Sequence, residues 1–411
     1  MRKLCYNIVG EHTMRHQKKL LVVGGAHSDI PLIESGKKLG FYVITTGNQP
    51  NGINGLGHKY ANEYHPVDYS NINAMLELAQ KLRIDAICSG CNDFAVISAA
   101  YVAEKLGLPG YDPYETILTL HHKDKYRQFA LRHQIPSPYA ESHSTIHHAL
   151  ESIDKYTFPV IIKPIDLTGG KGISKVHHSD EYKNAVEKAF SISRTKRIVV
   201  EEFIAGTLHS FSSFIKDGKV VFYFSDNEFS LSLNPFFVST SASPAIKYQI
   251  VTPKMITICE NIASLLTLKT GLLHCQYLLR DEEPIIIEIT RRCPGDLYTV
   301  PVENSTGVDH ALYIVKAAVG MDISDLSPIE PNGFYGRHCV MSSTPGRVKD
   351  VIIDSSIIPN IVDKFMWWTP GYIIDNVYTS KVSIVFSRFD SMNEMLDKTT
   401  RLNELIRIDM Y

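Results

Sequence analysis

Two apolar runs that carry oxygen-bearing side chains stand close together near residue 280. The segments GLLHCQYLLR and PIIIEITRR flank the polar turn DEE, a pattern that predicts an antiparallel hairpin. Pairing about the middle of this turn sets Gln276 opposite Glu288. It likewise sets His274 opposite Thr290, and because side chains alternate along a strand, all four share one face. The spacing therefore permits a coordination site for a metal ion on that face.

A lysine and a glycine-rich loop form a second group of residues suited to chemistry. Lys163 lies at the end of an apolar strand-like run, and a loop follows that consists of Thr168, Gly169, Gly170, Lys171 and Gly172. Glycines let consecutive backbone N–H groups converge on oxygen atoms, and a lysine on the adjacent strand adds positive charge, so the two elements suit a phosphate group. Taken alone, the loop is explained equally well as a plain hairpin turn.

The composition argues against several classes of partner and location. The chain has 42 basic and 44 acidic side chains, so its bulk charge attracts neither nucleic acid nor an anionic membrane. No apolar run approaches the roughly 20 residues that cross a bilayer, and the first residues lack the apolar stretch of a secretory signal. Seven scattered cysteines do not form a disulfide framework, so we expect a reducing, cytoplasmic location.

The elements that must position these residues alternate between strands, turns and helices. Residues 19–115 run twice through strand, loop and helix, which predicts an α/β domain with a parallel sheet. A helix over His121–Pro138 and a new strand at TFPVIIKP open a second domain, residues 116–325. Residues 326–411 are strand-rich and end in the helix SMNEMLDKTTRLNELI, which indicates a small third lobe. Residues 1–18 form an extension, within which Met14 is an alternative start.

The order of the motifs along the chain resembles the ATP-grasp superfamily. A lysine-bearing helix is followed by FPVIIKP, TGGKG, VVEEFI and IIIEITRR, and the similarity covers about residues 20–400. The resemblance implies an α/β and α+β fold with a Rossmann-like N-terminal domain, an ATP-grasp domain of two subdomains hinged near 201–204, and a small strand-rich C-terminal lobe. It also implies that the chain binds ATP and one or two Mg²⁺ or Mn²⁺ ions.

The resemblance assigns nucleotide-binding roles to particular residues. It places Lys123 and Lys163 at the phosphates, beneath the glycine loop, and spacing favours Lys123 over Lys125. His209 stands where some members place a histidine that contacts the ribose, although an ordinary strand histidine explains it equally well. Adenine is expected at the hinge residues Glu201, Glu202, Phe203 and Ile204.

The metal end of the expected site departs from the family pattern, which is an acid followed by E-x-N-x-R. Gln276, Glu288 and Thr290 stand at the three ligand positions, so one carboxylate is lost and weaker or single-metal binding should follow. The acids at the hairpin tip, Glu282 and Glu283, are too far from Glu288 to replace it. Asp296 is the nearer candidate.

Arg292 is the predicted partner of the transferring phosphoryl group, and with Lys163 it forms the predicted catalytic pair. A planar, always-charged donor fork suits that role. Arg291 is one step along the strand and should face away.

These expectations together predict an ATP-dependent carboxylate–amine ligase. The implied reaction transfers the γ-phosphate to a carboxylate, and an amine such as an amino acid then displaces phosphate to give an amide. Two alternatives stay open: bicarbonate activation of the biotin carboxylase or purine synthase type, and a nucleotide-binding regulator whose catalysis the change at position 276 has weakened. We expect small-molecule partners without nucleic acid or membrane, with a homodimer as one assembly. Substrate identity is expected to depend on loops at 92–93, 227–243 and 296–301.

Overall fold

The computed structural model describes residues 17–167, 170–231 and 233–411. Most of the predicted extension, including Met14, lies outside this part of the chain. The described residues form four sheets, of four, eight, three and four strands. No helix within them is long and apolar enough to cross a membrane.

The N-terminal domain is built on a parallel sheet, as the alternation of strands and helices predicts. Its elements are β1 (Lys19–Val23), α1 (Ile30–Lys38), β2 (Tyr42–Thr46), β3 (Glu63–His65), α2 (Ile72–Leu82), β4 (Ala86–Ser89) and α3 (Asp93–Leu106). The strand order is β3-β2-β1-β4, and every neighbouring pair is parallel. The apolar residues of β1 are buried because a parallel sheet is covered on both faces. Asn92 caps α3, and Gly107 ends it with a φ of 66°.

Two helices and an antiparallel sheet follow. The elements are α4 (Tyr114–His121), α5 (Lys123–Arg132), β5 (Ala140–His143), α6 (Ile146–Glu151), β6 (Val160–Pro164), β7 (Ser174–Val176), α7 (Ser179–Ile192) and β8 (Ile198–Glu202). The strand order is β5-β8-β6-β7. One face of this sheet packs its apolar side chains against α6 and α7. The helix predicted over His121–Pro138 is α5, which begins two residues later and ends at Arg132, whereas His121 ends α4 because His122 has an extended backbone.

An eight-stranded sheet dominates the rest of the chain. The elements are β9 (Thr207–Lys216), β10 (Lys219–Leu231), β11 (Asn234–Ser243), α8 (Tyr248–Leu265), β12 (Gly271–Arg280), β13 (Glu283–Thr290), α9 (Thr299–Thr306), α10 (His310–Ala318), β14 (Phe334–Met341), β15 (Gly346–Ile353), β16 (Ile361–Met366), β17 (Ile373–Ile374), β18 (Lys381–Phe389), α11 (Met392–Thr400), α12 (Leu402–Leu405) and β19 (Ile406–Met410). The strand order is β13-β12-β9-β10-β11-β14-β18-β16, and β17-β15-β19 forms a small separate sheet.

The C-terminal residues differ from the predicted lobe in two ways. Strands β14, β18 and β16 extend the sheet of the second domain, so the expected boundary near residue 325 does not separate two sheets. The predicted terminal helix is present as α11 and α12, which are separated at Arg401, but it does not end the chain, because β19 follows it and pairs with β15. Ile406 and Ile408 alternate with polar residues, which is the period of a strand.

A buried ion pair joins the end of the N-terminal domain to the β12–β13 hairpin. Arg291 Nε donates to Asp112 Oδ2 over 2.7 Å, and the side chains are only 5% and 1% exposed. The other Arg291 N–H groups donate to the carbonyl groups of Lys269, Gly271 and Leu272. Arg291 is therefore fully engaged in joining the two parts of the chain.

Replacing Arg291 with alanine should destabilise this junction by about 3–5 kcal/mol, because Asp112 would stay buried without a counter-charge. Urea unfolding followed by circular dichroism measures the change. Arg280→Ala, at an exposed residue of the same hairpin, is the control and should change stability by less than about 0.5 kcal/mol. Equal unfolding midpoints for the two variants would contradict the expectation.

Candidate active site

A cavity of about 900 Å³ lies between the four-stranded antiparallel sheet and the eight-stranded sheet. Side-chain alternation explains which residues face it. In the smaller sheet, Ile161, Lys163, Lys175 and Glu201 lie on the face opposite the one covered by α6 and α7, and all four line the cavity. The facing wall comes from β9 to β14, together with the segment that follows β13.

Lys163 lies in the inner wall and belongs to a buried network of charges. It pairs with Glu201, which also accepts a hydrogen bond from Arg127 Nε over 3.0 Å. Burial lowers the pKa of Lys163 to about 8, and the negative charge of Glu201 opposes this change. Burial alone would raise the pKa of Glu201, but Arg127 and Lys163 hold it below its ordinary value. The Glu201 side chain, expected beside adenine, therefore orients Lys163.

Arg127 also reaches the other sheet. Its Nη2 donates to the carbonyl oxygen of Ile287 over 2.8 Å, on the strand that carries Glu288. The hinge strand β8 and strand β13 are thus held by the same guanidinium group.

Lys123 begins α5 and lines the cavity. Its Nζ donates to the carbonyl oxygen of Leu167 over 2.9 Å, next to the glycine loop. Lys125 instead forms an exposed pair with Glu115 over 3.1 Å. Of the two lysines, the structure places only Lys123 among the lining residues, in agreement with the preference drawn from spacing.

The described part of the glycine loop closes one end of the cavity. Thr168 and Gly169 lie outside the described residues. Gly170 has a φ of 71° and packs so closely on Phe236 of β11 that a Cβ atom would collide with its backbone. Gly172 has a φ of 73°, and Lys171 between them is exposed. Glycine is required at position 170 both by this conformation and by the contact with the opposite sheet.

Glu202, Phe203 and Ile204, which were predicted to form the hinge, all line the cavity. Glu202 accepts a hydrogen bond from the backbone N–H of Tyr139 over 2.9 Å. Lys175 places its Nζ 3.6 Å from the centroid of the Phe203 ring. This cation was not among the residues predicted from sequence, although it lies only three residues after Gly172.

His209 does not face the cavity, which corrects its expected position at the ribose. Alternation along β9 turns it to the other side of the sheet, where its ring stacks on Tyr277 with centroids 5.3 Å apart. The residue is 1% exposed, and burial lowers its pKa to about 4. The neighbouring Leu208 is the residue of β9 that lines the cavity.

Around the site the β12–β13 hairpin has the predicted register, although the pairs nearer the turn are displaced by one residue and a bulge between Gln276 and Tyr277 restores the alignment. Gln276 is opposite Glu288, His274 is opposite Thr290, and all four residues line the cavity. His274 is hydrogen-bonded to Ser212 through Nδ1 over 2.7 Å, and burial lowers its pKa to about 3, so it is neutral. The shared face predicted from the period of the strands is confirmed.

His121 links Thr290 to the N-terminal domain. Its Nε2 accepts a hydrogen bond from the backbone N–H of Arg291, so the Thr290 hydroxyl, 3.2 Å away, is the donor to the same nitrogen. The hydroxyl oxygen keeps its lone pairs, and Thr290 stays a predicted ligand. The other ring nitrogen of His121 lies 3.2 Å from Asp93.

Arg292 is oriented by the N-terminal domain. Its Nε and Nη2 donate to the two carboxylate oxygens of Asp93, over 2.9 and 3.2 Å, at the start of α3. Burial alone would raise the pKa of Asp93, but Arg292 and His121 hold it well below its usual range. Arg292 lines the cavity, whereas Arg291 points away from it as expected.

Asp296 lines the cavity, but its charge is already compensated. It pairs with Lys381 of β18 and lies 3.8 Å from Arg337 of β14. Burial alone would raise the pKa of Asp296, but these two cations and His27 hold it well below its ordinary value. Asp296 is therefore not the free second carboxylate that the sequence suggested.

Glu228 is the acid that contacts Gln276, and it was not among the predicted residues. Gln276 Nε2 donates to Glu228 Oε2 over 2.6 Å. Burial, followed by the negative charge of Asp226, raises the pKa of Glu228 to about 8. The segment 227–243, expected to be a substrate loop, consists mainly of strands β10 and β11. The run DNE inside an apolar strand was the available signal for this site.

The oxygen atoms around Gln276 fit a hard divalent cation. Glu228 and Glu288 supply carboxylates and Gln276 an amide, which are the ligand types that Mg²⁺ accepts. Behind them, Asp226 Oδ2 is buried without a hydrogen-bond partner among the described residues. No group of three or more His, Cys, Asp or Glu side chains in the described ranges is arranged as a metal site. Metal binding here would therefore need the Gln276 amide or oxygens of a nucleotide.

Comparison with known proteins agrees with this arrangement. Residues 123–326 match the family model described as the carbamoyl-phosphate synthase L chain ATP-binding domain. The structure of an L-amino acid ligase from Bacillus licheniformis has a similar fold, with a TM-score of 0.79 at 18% identity, over 96% of this chain and 99% of that chain. Residues 123–326 are therefore an ATP-grasp ATP-binding domain, and the described chain as a whole has the ATP-grasp ligase fold.

Two further comparisons show how far the similarity of this ATP-grasp protein extends. A biotin carboxylase from Campylobacter jejuni aligns with a TM-score of 0.74 at 18% identity, over 96% of this chain and 92% of that chain. A carbamoyl phosphate synthase large chain from Methanoculleus marisnigri is 24% identical over 213 residues, which are 51% of this chain. That alignment spans only 20% of the relative. The predicted superfamily and fold class are confirmed.

The pKa of Lys163 predicts how nucleotide binding should depend on pH. Because this pKa is lowered to about 8, the positive charge is present below pH 8 and is lost above it. Affinity for ADP, measured by calorimetry, should fall between about pH 7.5 and about pH 9.5, by up to about tenfold per pH unit. Lys163→Arg keeps its charge and should remove the fall. A wild-type affinity that stays constant over this range would contradict the assignment.

Proposed function

We propose that this ATP-grasp protein is an ATP-dependent carboxylate–amine ligase. The observation that carries the proposal is the joint presence of Lys163 and Glu288 in one cavity, on two facing sheets. Lysine compensates phosphate charge, and a carboxylate on the opposite wall suits a divalent ion bound to the same phosphates. Activation of a carboxylate anion by ATP needs both kinds of charge compensation.

The residues divide the cavity into a nucleotide end and a reacting end. Phe203 and Ile204 offer a partly apolar wall for adenine, and Lys123 and Lys163 lie beside the phosphate positions. Bound Mg²⁺ would neutralise charge on the phosphate groups. Gln276, Glu288 and Thr290 are the predicted ligands for it.

Arg292 is proposed to stabilise the transferring phosphoryl group. Its guanidinium is held by Asp93, so the donor fork is oriented before any substrate binds. A carboxylate placed near Arg292 would receive the γ-phosphate, and an amine would then displace inorganic phosphate to leave an amide. The rest of the cavity, which is lined by Phe236, Phe237 and Arg337 among others, is the space proposed for these two substrates.

Phosphate release tests this reaction directly. Purified full-length protein with ATP and Mg²⁺ should release phosphate when pools of carboxylates and amines, including amino acids, are added together. Omission of either pool should stop the release. The absence of phosphate release with broad pools of carboxylates and amines would count against the proposed ligase activity.

Bicarbonate activation is a second candidate, supported by the match to the ATP-binding domain of carbamoyl-phosphate synthase. ATP turnover that depends on bicarbonate, and not on an added organic acid, would distinguish it from amide formation. A nucleotide-binding regulator is the third outcome. Tight ATP binding without hydrolysis, unchanged in Gln276→Glu, would support that outcome.

Lys163→Ala and Glu288→Ala should each reduce ATP-dependent phosphate release by about 100-fold or more, because each removes charge that stabilises the transition state. Initial rates at saturating ATP measure the loss. Glu282→Gln is the matched control, since Glu282 lies at the hairpin tip and pairs with Lys247. Near-normal turnover in both alanine variants would refute the site.

A further inference from the structure

Glu228 is a buried carboxylate that faces the cavity without a compensating cation. The residue is 8% exposed, and within the described part of the chain it forms no ion pair. Its hydrogen bond comes from the neutral amide of Gln276. A buried charge is costly unless a counter-charge or a metal ion compensates it.

The positions of the neighbouring side chains explain how Glu228 reaches Gln276. Strand β9 lies between β10 and β12, and its Ser210 is paired with Gln276 on one side and with Asp226 on the other. Serine is small, and its hydroxyl donates to Asp226. Glu228, two residues beyond Asp226 on the same face, can therefore extend past β9 to the Gln276 amide.

Arg337 does not provide the missing charge. Its N–H groups donate to the Ser241 hydroxyl and to the carbonyl oxygens of Gly295 and Asp296. It also lies 3.8 Å from the Asp296 carboxylate. The charge of Arg337 opposes the rise in the pKa of Glu228, but its N–H groups are directed towards these other partners and it forms no ion pair with Glu228.

We propose that Glu228 is a metal ligand, which supplies from β10 the carboxylate that position 276 lacks on β12. With Glu288 it gives two carboxylates around the Gln276 amide, so the charge of a two-acid site is kept although one acid has moved to another strand. The ion would be Mg²⁺, bound together with the nucleotide phosphates. This inference rests on the proposed function only in that ATP and Mg²⁺ must bind.

Calorimetry of ADP binding, with and without Mg²⁺, tests this assignment without any acid or amine substrate. Mg²⁺ should strengthen ADP binding to the wild-type chain. In Glu228→Gln, the ratio of the ADP affinities with and without Mg²⁺ should be at least about tenfold smaller. The double variant Glu228→Gln with Gln276→Glu returns a carboxylate to the site, so Mg²⁺ should again strengthen its ADP binding. Glu282→Gln, at the exposed hairpin tip, should behave as wild type.

Thermal unfolding separates loss of metal binding from loss of the fold. Glu228→Gln keeps the size of the side chain and removes a buried acid that has no ion-pair partner in the described part of the chain, so the ligand-free variant should melt at or above the wild-type temperature. Gln276→Glu alone should melt lower without ligands, because two acids would then be in contact. Mg²⁺ with ADP should raise its melting temperature by more than that of the wild type.

Three results would overturn the assignment. The first is a Glu228→Gln variant in which Mg²⁺ strengthens ADP binding as much as in the wild type. This result would overturn the assignment even if the same variant showed a higher KM for an amine substrate. The second is a Gln276→Glu protein that Mg²⁺ and ADP stabilise no more than the wild type. The third is a wild-type chain whose affinity for ADP does not change when Mg²⁺ is added. Of the three results, only this one would also overturn the proposed function.

Discussion

The buried guanidinium of Arg127 joins the two sheets that enclose the cavity. It holds Glu201 on the strand that leads to the hinge and the carbonyl group of Ile287 on the strand that carries Glu288. Lys163 shares the same Glu201 carboxylate. The distance between Lys163 and Glu288 on the two facing walls is therefore set through one side chain, and a shift of α5 would displace both.

Some charged side chains that line the cavity are paired with charged residues from the N-terminal domain and from the C-terminal strands. Asp93 from the N-terminal domain holds Arg292, whereas Lys381 and Arg337 from the C-terminal strands hold Asp296. Buried ions need such partners because desolvation is expensive. Glu228 differs because it has no ion-pair partner among the described residues, and this difference between two buried acids on the same wall favours Glu228 over Asp296 as a ligand for a cation.

Local patterns predicted the features that depend on short separations in sequence. Pairing about a short turn and the period of two predicted which residues of the hairpin share a face, although not the bulge beside Gln276, and Lys163 followed from its place at the end of an apolar run. Glu228 was missed because its contact with Gln276 depends on the strand order β12-β9-β10, which is set by pairing between distant segments. His209 was misplaced for the same reason, since only the register with Tyr277 shows which face it occupies. The terminal helix was predicted to within one residue of its end, since Leu402 and Leu405 lie in α12, but β19 after it was missed because that strand depends on pairing with the distant β15.

The continuous eight-stranded sheet has a consequence for how this fold can be divided. The matched ATP-binding family ends at residue 326, but β14 pairs with β11 and contributes Arg337 to the cavity wall. A fragment cut at that border would bare the backbone of β11 as an open sheet edge, the kind of surface that recruits strands from other molecules. It would also leave Asp296 without Lys381 and Arg337. The structural domain therefore extends beyond residue 326. A domain fusion or exchange that keeps the fold intact must include the later strands of the eight-stranded sheet, which the matched family range leaves out.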